Sequence, residues 1–210
     1  MTTVSLDAAG RTVLLDVDPA DHIGRVITRS RTWYEHGLLT DAARRVTAPG
    51  TAIDVGAHIG NHALWFAAVM GLNVVAIEPN PDSYARLAVN IAANRVDARL
   101  IAGAAGRAEG WASVHPPAIE GNSGTCTVSF DGGPVPVFAL DELGLTDVRL
   151  IKIDVEGTAT TVLAGAQRLL SEQSPVLYVE GDADEIAAAL PAGYECFGEF
   201  AKTPTWGFSR

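Results

Sequence analysis

Four stretches of this 210-residue chain carry residues whose types and spacing could do chemistry. In Ala52-Ile53-Asp54-Val55-Gly56-Ala57-His58-Ile59-Gly60-Asn61 a short apolar run ends at an acid, turns through Gly56 and Gly60, and leads into a helical pattern. Glycines there let backbone approach a ligand and aim the next helix's N-terminus at it, although an ordinary strand-to-helix turn has the same geometry. Glu78 follows Val74-Val75-Ala76-Ile77, about 20 residues beyond the turn, where a carboxylate can accept both hydroxyl hydrogens of a ribose. Asp154 and Glu156 end Leu150-Ile151-Lys152-Ile153-Asp154-Val155-Glu156-Gly157, and alternation gives them one face if the strand runs that far. A carboxylate there could orient an acceptor, take its proton or hold a cation, whereas Glu156 could equally cap a helix starting near Gly157. Lys152 reads as a satisfied strand lysine or an ion-pair partner of one of these acids. His115 and the Asn122-Ser123-Gly124 turn lie in a glycine-punctuated region, and a lone histidine is more often structural than catalytic.

A sheet must position these groups. From about residue 50 onward, periods of 2 and 3.6 alternate. Ala52–Val55, Asn73–Ile77, Arg99–Ala102, Arg149–Val155 and Pro175–Glu180 read as strands. Helices are expected over Asn61–Met70, Asp82–Asn94 (entered through Pro81), Thr158–Leu170 and Asp182–Leu190. Tyr194–Phe197 and Trp206–Phe208 supply antiparallel edges, and an amphipathic stretch runs from Tyr34 to about Val46. Three glycine clusters between 106 and 138 separate short stretches that read as irregular or antiparallel structure inserted beside the main sheet. The expected class is α/β, a mostly parallel sheet covered on both faces as a three-layer sandwich.

Composition removes several alternatives. The formal charge is −10, and the 15 Lys and Arg are scattered, which excludes a phosphate-backbone binder. Cys126 and Cys196 form neither a disulfide framework nor a zinc spacing, and are expected to be small buried apolar groups. No metal-ligand pattern appears. The N-terminus lacks a signal-peptide pattern and no stretch is apolar for the roughly 20 residues that span a bilayer, so a soluble cytoplasmic domain without membrane contact is expected.

The glycine spacing is D-x-G-x-x-x-G, not the G-x-G-x-x-G of a dinucleotide site, so a nucleoside-bearing cofactor without a diphosphate is the better reading. A nicotinamide-dependent oxidoreductase and a non-catalytic nucleoside-binding module on the same sheet are the alternatives. The segments Asp54–His62, Glu78-Pro79-Asn80-Pro81, Leu150–Gly157 and Val162-Leu163-Ala164-Gly165-Ala166, with Tyr34-Glu35 upstream, together resemble the FkbM family of methyltransferases over roughly residues 20–197.

That resemblance implies a single domain over 1–210 with a seven-stranded Rossmann-like sheet, and S-adenosyl-L-methionine as methyl donor. It implies a hydroxylated small-molecule acceptor of sugar or natural-product type. Segment 1–50 would form an N-terminal strand and lid, and 106–138 the acceptor-side insertion. Tyr34, Glu35, Asp54, Gly56, Ala57, His58, Gly60, Asn61, Glu78, Pro79, Asn80, Ala104 and Asp154 are then expected at the cofactor. Glu156, Asp154 and His115 are candidates for the chemistry, with Glu156 the first choice of base. Trp33, Trp111 and Trp206 could line a sugar-stacking pocket or belong to the core. Self-association as a homodimer is left open. Two positions depart from the family pattern: His58 stands where Asn is usual, and Ala159 where an acid usually follows the Glu-Gly pair.

Overall fold

In the computed structural model, which describes residues 2–200 and 203–210, the chain opens with a hairpin, β1 (Thr2–Ala8) and β2 (Arg11–Val17). Buried positions alternate with exposed or half-buried ones over Thr3–Ala8 and Thr12–Val17, and Ala9 and Gly10 turn it at positive φ. Helices α1 (His22–Ser30) and α2 (His36–Arg45) follow. The central strands are β3 (Thr51–Val55), β4 (Asn73–Glu78) and β5 (Ala98–Ala102), connected by α3 (Asn61–Ala68) and α4 (Pro81–Asn94). A short β6 (Ala104–Ala105) leads into β7 (Gly110–His115), β8 (Thr127–Ser129) and β9 (Val135–Phe138). The chain then returns through β10 (Val148–Ile153), α5 (Ala159–Ala164), α6 (Gln167–Gln173), β11 (Val176–Glu180) and α7 (Ala183–Ala189), and closes with β12 (Glu195–Phe200) and β13 (Thr205–Ser209).

The main sheet has seven strands in the order β12-β13-β11-β10-β3-β4-β5. Strands β11, β10, β3, β4 and β5 pair in parallel, and only β13 runs against them, because β12 is antiparallel to β13 and so shares their direction. Of the two expected antiparallel edges, the one at Tyr194–Phe197 therefore runs with the parallel strands and the one at Trp206–Phe208 lies inside the sheet. Alternation sorts each central strand between two apolar layers. Ala52, Val74, Ala76, Leu150 and Tyr178 pack with the hairpin and α1–α4; Ile53, Val55, Val75, Ile77, Ile151 and Ile153 pack with α5–α7. The insertion forms its own sheet, ordered β6-β9-β7-β8 and mostly antiparallel.

Four further sequence expectations are corrected. Thr158–Leu170 is not one helix: it breaks at Gly165, where a Cβ would lie 2.0 Å from the Gly106 carbonyl oxygen, so only a residue without a side chain fits against the insertion's backbone. Strand β10 stops at Ile153 instead of reaching Val155, because Glu156 and Gly157 both take positive φ and turn the chain away. Asp154 and Glu156 therefore do not share a strand face. The cysteines are not buried: Cys196 is exposed on the edge strand β12, and Cys126 is half-buried beside the crevice described below. No helix among the described residues is long and apolar enough to cross a membrane.

Candidate active site

The carboxyl ends of β3, β4, β10 and β11 meet at a crevice enclosing about 850 Å³ of open space, its mouth included. Tyr34, Glu35, Gly56, His58, Glu78, Pro79, Asp154 and Glu156 line it, so most of the residues singled out from sequence converge. Asn61 and Ala57 line a smaller adjoining space, and Ala104 an apolar slot formed with Ile77, Pro79, Val128, Phe130 and Val155. Asn80 faces a second cavity beyond Ser123. His115 stands apart, exposed on β7 and bonded to Ser129 Oγ at 2.8 Å. None of Trp33, Trp111 and Trp206 lines the crevice: Trp33 is core, its Nε1 donating to the Asp7 carbonyl, and Trp111 is exposed.

The glycine turn is built around Glu78. Gly56 N–H and Ala57 N–H both donate to the Ile77 carbonyl, which folds the loop back over the end of β4. Glu78 Oε2 accepts the His58 N–H at 2.7 Å and Oε1 the Asn80 N–H at 2.8 Å. Burial pushes the Glu78 carboxyl up to about 7, against the opposing pull of those two backbone donors. Gly56 can be nothing else: φ is +79°, and a Cβ would sit 1.8 Å from the Asp154 carbonyl oxygen. Asn80 also caps α4, its Oδ1 accepting from Asp82 and Ser83 N–H.

Beneath the loop lies a buried charge cluster. Lys152 Nζ contacts Asp154 Oδ2 at 2.7 Å and pairs in strand register with Asp54. Burial alone would lower the Lys152 pKa, but Asp154, Asp54 and Glu35 hold it above the ordinary ammonium range. Burial would raise Asp154, yet Lys152 and a hydrogen bond from Glu180 keep it well below the usual carboxylate range. Glu180 takes the proton of that pair, raised to about 9 by burial and then by Asp154. Asp54 is wholly buried, lies under the crevice rather than in its wall, and points toward the Ala63 N–H without completing a well-formed bond. Its burial pushes the carboxyl up.

The wall opposite is set by Tyr34 and Glu35 at the start of α2. Asn61 holds them with a reciprocal pair: its Oδ1 accepts the Tyr34 N–H and its Nδ2 donates to the Tyr34 carbonyl, both at 3.1 Å. Glu35 takes left-handed φ, which turns its side chain inward to His62 Nε2 at 3.0 Å instead of capping α2. Burial would raise Glu35, but the His62 contact lowers it.

Three contributors escaped the sequence reading. Glu180 had the same signal as Glu78, an acid closing an apolar strand. Asp21 caps α1 through Ile23 N–H and reaches across to Ser123, a signal visible only as a capping acid before a helix. His62 lies on α3, inside the Asp54–His62 segment but without a role assigned to it.

Comparison with known proteins now decides the family. The Methyltransferase FkbM domain profile matches residues 54–196. The chain belongs to the FkbM methyltransferase family. The chain is also 34% identical over 131 residues to a hexuronic acid methyltransferase of Haloferax volcanii, covering 59% of this chain and 53% of that protein. The chain thus spans about half the length of that curated relative. An FkbM methyltransferase structure from Methylobacillus flagellatus KT aligns over 92% of this chain and 62% of that one, with a TM-score of 0.55 at 17% identity. A Pyrococcus abyssi tRNA (uracil-54, C5)-methyltransferase, solved with S-adenosyl-L-homocysteine, aligns over 100% of this chain and 44% of that one, with a TM-score of 0.55 at 10% identity. These likenesses give the FkbM domain the class I Rossmann-like methyltransferase fold that its strand order displays.

Proposed function

We propose that this FkbM domain transfers a methyl group from S-adenosyl-L-methionine to a hydroxyl oxygen of a small, uncharged, sugar-type acceptor. The observation that carries the proposal is Glu78. Each of its oxygens accepts one loop N–H and has a further lone pair to offer, and the residue lines the crevice, which suits the two hydroxyls of a ribose. The apolar slot beside Ala104 suits the flat adenine ring, and Tyr34 and Glu35 close the opposite wall. When bound, the donor supplies a methyl group made electrophilic by a sulfonium charge. Glu35, Glu78, Asp154, Glu156 and Glu180 line the crevice, and among the described residues no Lys or Arg does. That lining favours a cationic donor and disfavours a carboxylate acceptor, so the sugar chemistry named for the Haloferax relative is carried over to a neutral, hydroxylated sugar.

The chain's own work is alignment and exclusion of water, which can supply roughly 7–11 kcal/mol toward such a displacement. Segment 106–138 and the N-terminal 50 residues build the acceptor side of the crevice. Calorimetry with S-adenosylhomocysteine and with NADH, then labelled donor with a panel of methyl hexosides, tests the proposal. Binding of the first nucleoside alone and a labelled hexoside are expected. NADH binding without a response to S-adenosylhomocysteine would instead support a nicotinamide oxidoreductase, and donor binding without turnover would support a nucleoside-binding module.

A further inference from the structure

His58 joins three segments that are remote in sequence. Its Nε2 lies 2.6 Å from Ser123 Oγ in the insertion, and Ser123 Oγ lies 2.7 Å from Asp21 Oδ1 at the start of α1. Asp21 Oδ1 also takes the Ser123 N–H at 2.6 Å, and Oδ2 takes the Ile23 N–H at 3.1 Å. These bonds fix where the protons are. Asp21 is satisfied as a carboxylate, so the Ser123 hydroxyl donates its single proton to it. Ser123 Oγ can then only accept from His58, which places a hydrogen on Nε2 and leaves the lone pair on Nδ1. Among the described residues no side chain or backbone group hydrogen-bonds that Nδ1, and His58 lines the crevice.

We infer that His58 Nδ1 is the base that takes the acceptor's hydroxyl proton, with Ser123 and Asp21 as the positioning residues that hold its tautomer. The inference rests on the methyl-transfer reading above. As the new oxygen–carbon bond forms, the carbon–sulfur bond breaks and its electron pair stays on sulfur, giving S-adenosylhomocysteine. The hydroxyl proton passes to Nδ1 and later to solvent. The positive ring is stabilised through Nε2–H and Ser123 by the Asp21 carboxylate.

Other groups are less suited. Asp154 is committed to Lys152 and Glu180, Glu78 to two backbone donors, and among the described residues no hydrogen bond orients the Glu156 carboxylate. Burial lowers the His58 pKa to about 4, with Asp21 and Asp154 favouring and Arg86 and Lys152 opposing protonation, so the ring is neutral and able to accept at physiological pH. A base that weak is adequate, because an alcohol oxygen that has gained a methyl group is strongly acidic.

Nitrogen-15 histidine NMR of the full chain, with His58 assigned by the missing signals of His58→Asn, reads the tautomer directly. The Nε2–H form is expected at pH 7, Ser123→Ala should mix the tautomers, and Ser123→Thr should restore the single form. Single turnover at saturating labelled donor with a methyl hexoside should slow at least 100-fold in His58→Asn and about tenfold in Ser123→Ala. An Nδ1–H tautomer in the wild type, or His58→Asn turnover within threefold of wild type, overturns the inference. Failure of the wild type to methylate any hexoside overturns the acceptor reading instead, and the tautomer then decides for His58.

Discussion

Lys152 stands opposite Asp54 across the paired strands β10 and β3, and its Nζ reaches along its own strand to Asp154 Oδ2 at 2.7 Å. Lys152 is 1% exposed and Asp54 0%, so one buried cation bonds Asp154 directly and faces Asp54 through its charge alone beneath the crevice. Lys152→Met should cost about 3–5 kcal/mol, because it strands buried charge instead of only deleting a contact. Adding Asp54→Asn should return part of that loss. Urea denaturation of the two single variants and the double variant checks this, and strictly additive costs would mean that the two residues do not interact.

Glu78 gives the crevice a pH dependence. Its carboxyl sits near 7 in the folded chain, and ribose hydroxyls donate to the ionised form. Affinity for S-adenosylhomocysteine should therefore rise between pH 6 and 8 and level off above. Glu78→Gln should weaken binding by about 1–3 kcal/mol and flatten that profile. Calorimetry across this range measures both, and a flat wild-type profile would remove Glu78 from the ribose.

Much of this was legible in the sequence, for a physical reason. Parallel strands buried on both faces appear as continuous apolar runs, so Ala52–Val55, Asn73–Ile77 and Pro175–Glu180 stand out, and the acids that end the first two mark the ligand edge. Contacts between remote segments were not legible. The close packing of Gly165 on the Gly106 carbonyl and the His58–Ser123–Asp21 chain, which crosses 102 residues, join remote segments, so neither leaves a local pattern. Helix α1 and the β1–β2 hairpin had local signals, namely Asp21 as a cap and alternation around Ala9-Gly10, but no chemistry drew attention to them.

Gly56 and Gly60 both take positive φ, yet their substitution should differ in cost. A Cβ on Gly56 meets backbone, the Asp154 carbonyl oxygen, at 1.8 Å, whereas on Gly60 it meets the end of a side chain, Leu87 Cδ1, at 2.7 Å. Gly60→Ala should cost about 1–2 kcal/mol, the penalty of a left-handed residue, with Leu87 turning aside. Gly56→Ala must in addition part β3 from β10 and should abolish S-adenosylhomocysteine binding. Thermal denaturation with and without that ligand separates the two; equal melting losses would mean that the loop moves freely from Asp154.

Glu180 should set the alkaline limit of stability. Its folded pKa, about 9, lies above the ordinary 4.5, so its contribution is whole below the ordinary value and is lost as pH rises through about 9. Asp154 has the opposite sign: held below its ordinary 3.8, its contribution is present above that value and is lost only as pH falls into acid. Glu180→Gln keeps a donor toward Asp154 but cannot ionise. The variant should match the wild type near pH 5 and exceed it at pH 9, as read by urea midpoints at pH 5, 7 and 9. Parallel curves for the two proteins would mean that Glu180 ionises freely, and that Asp154 does not share its proton.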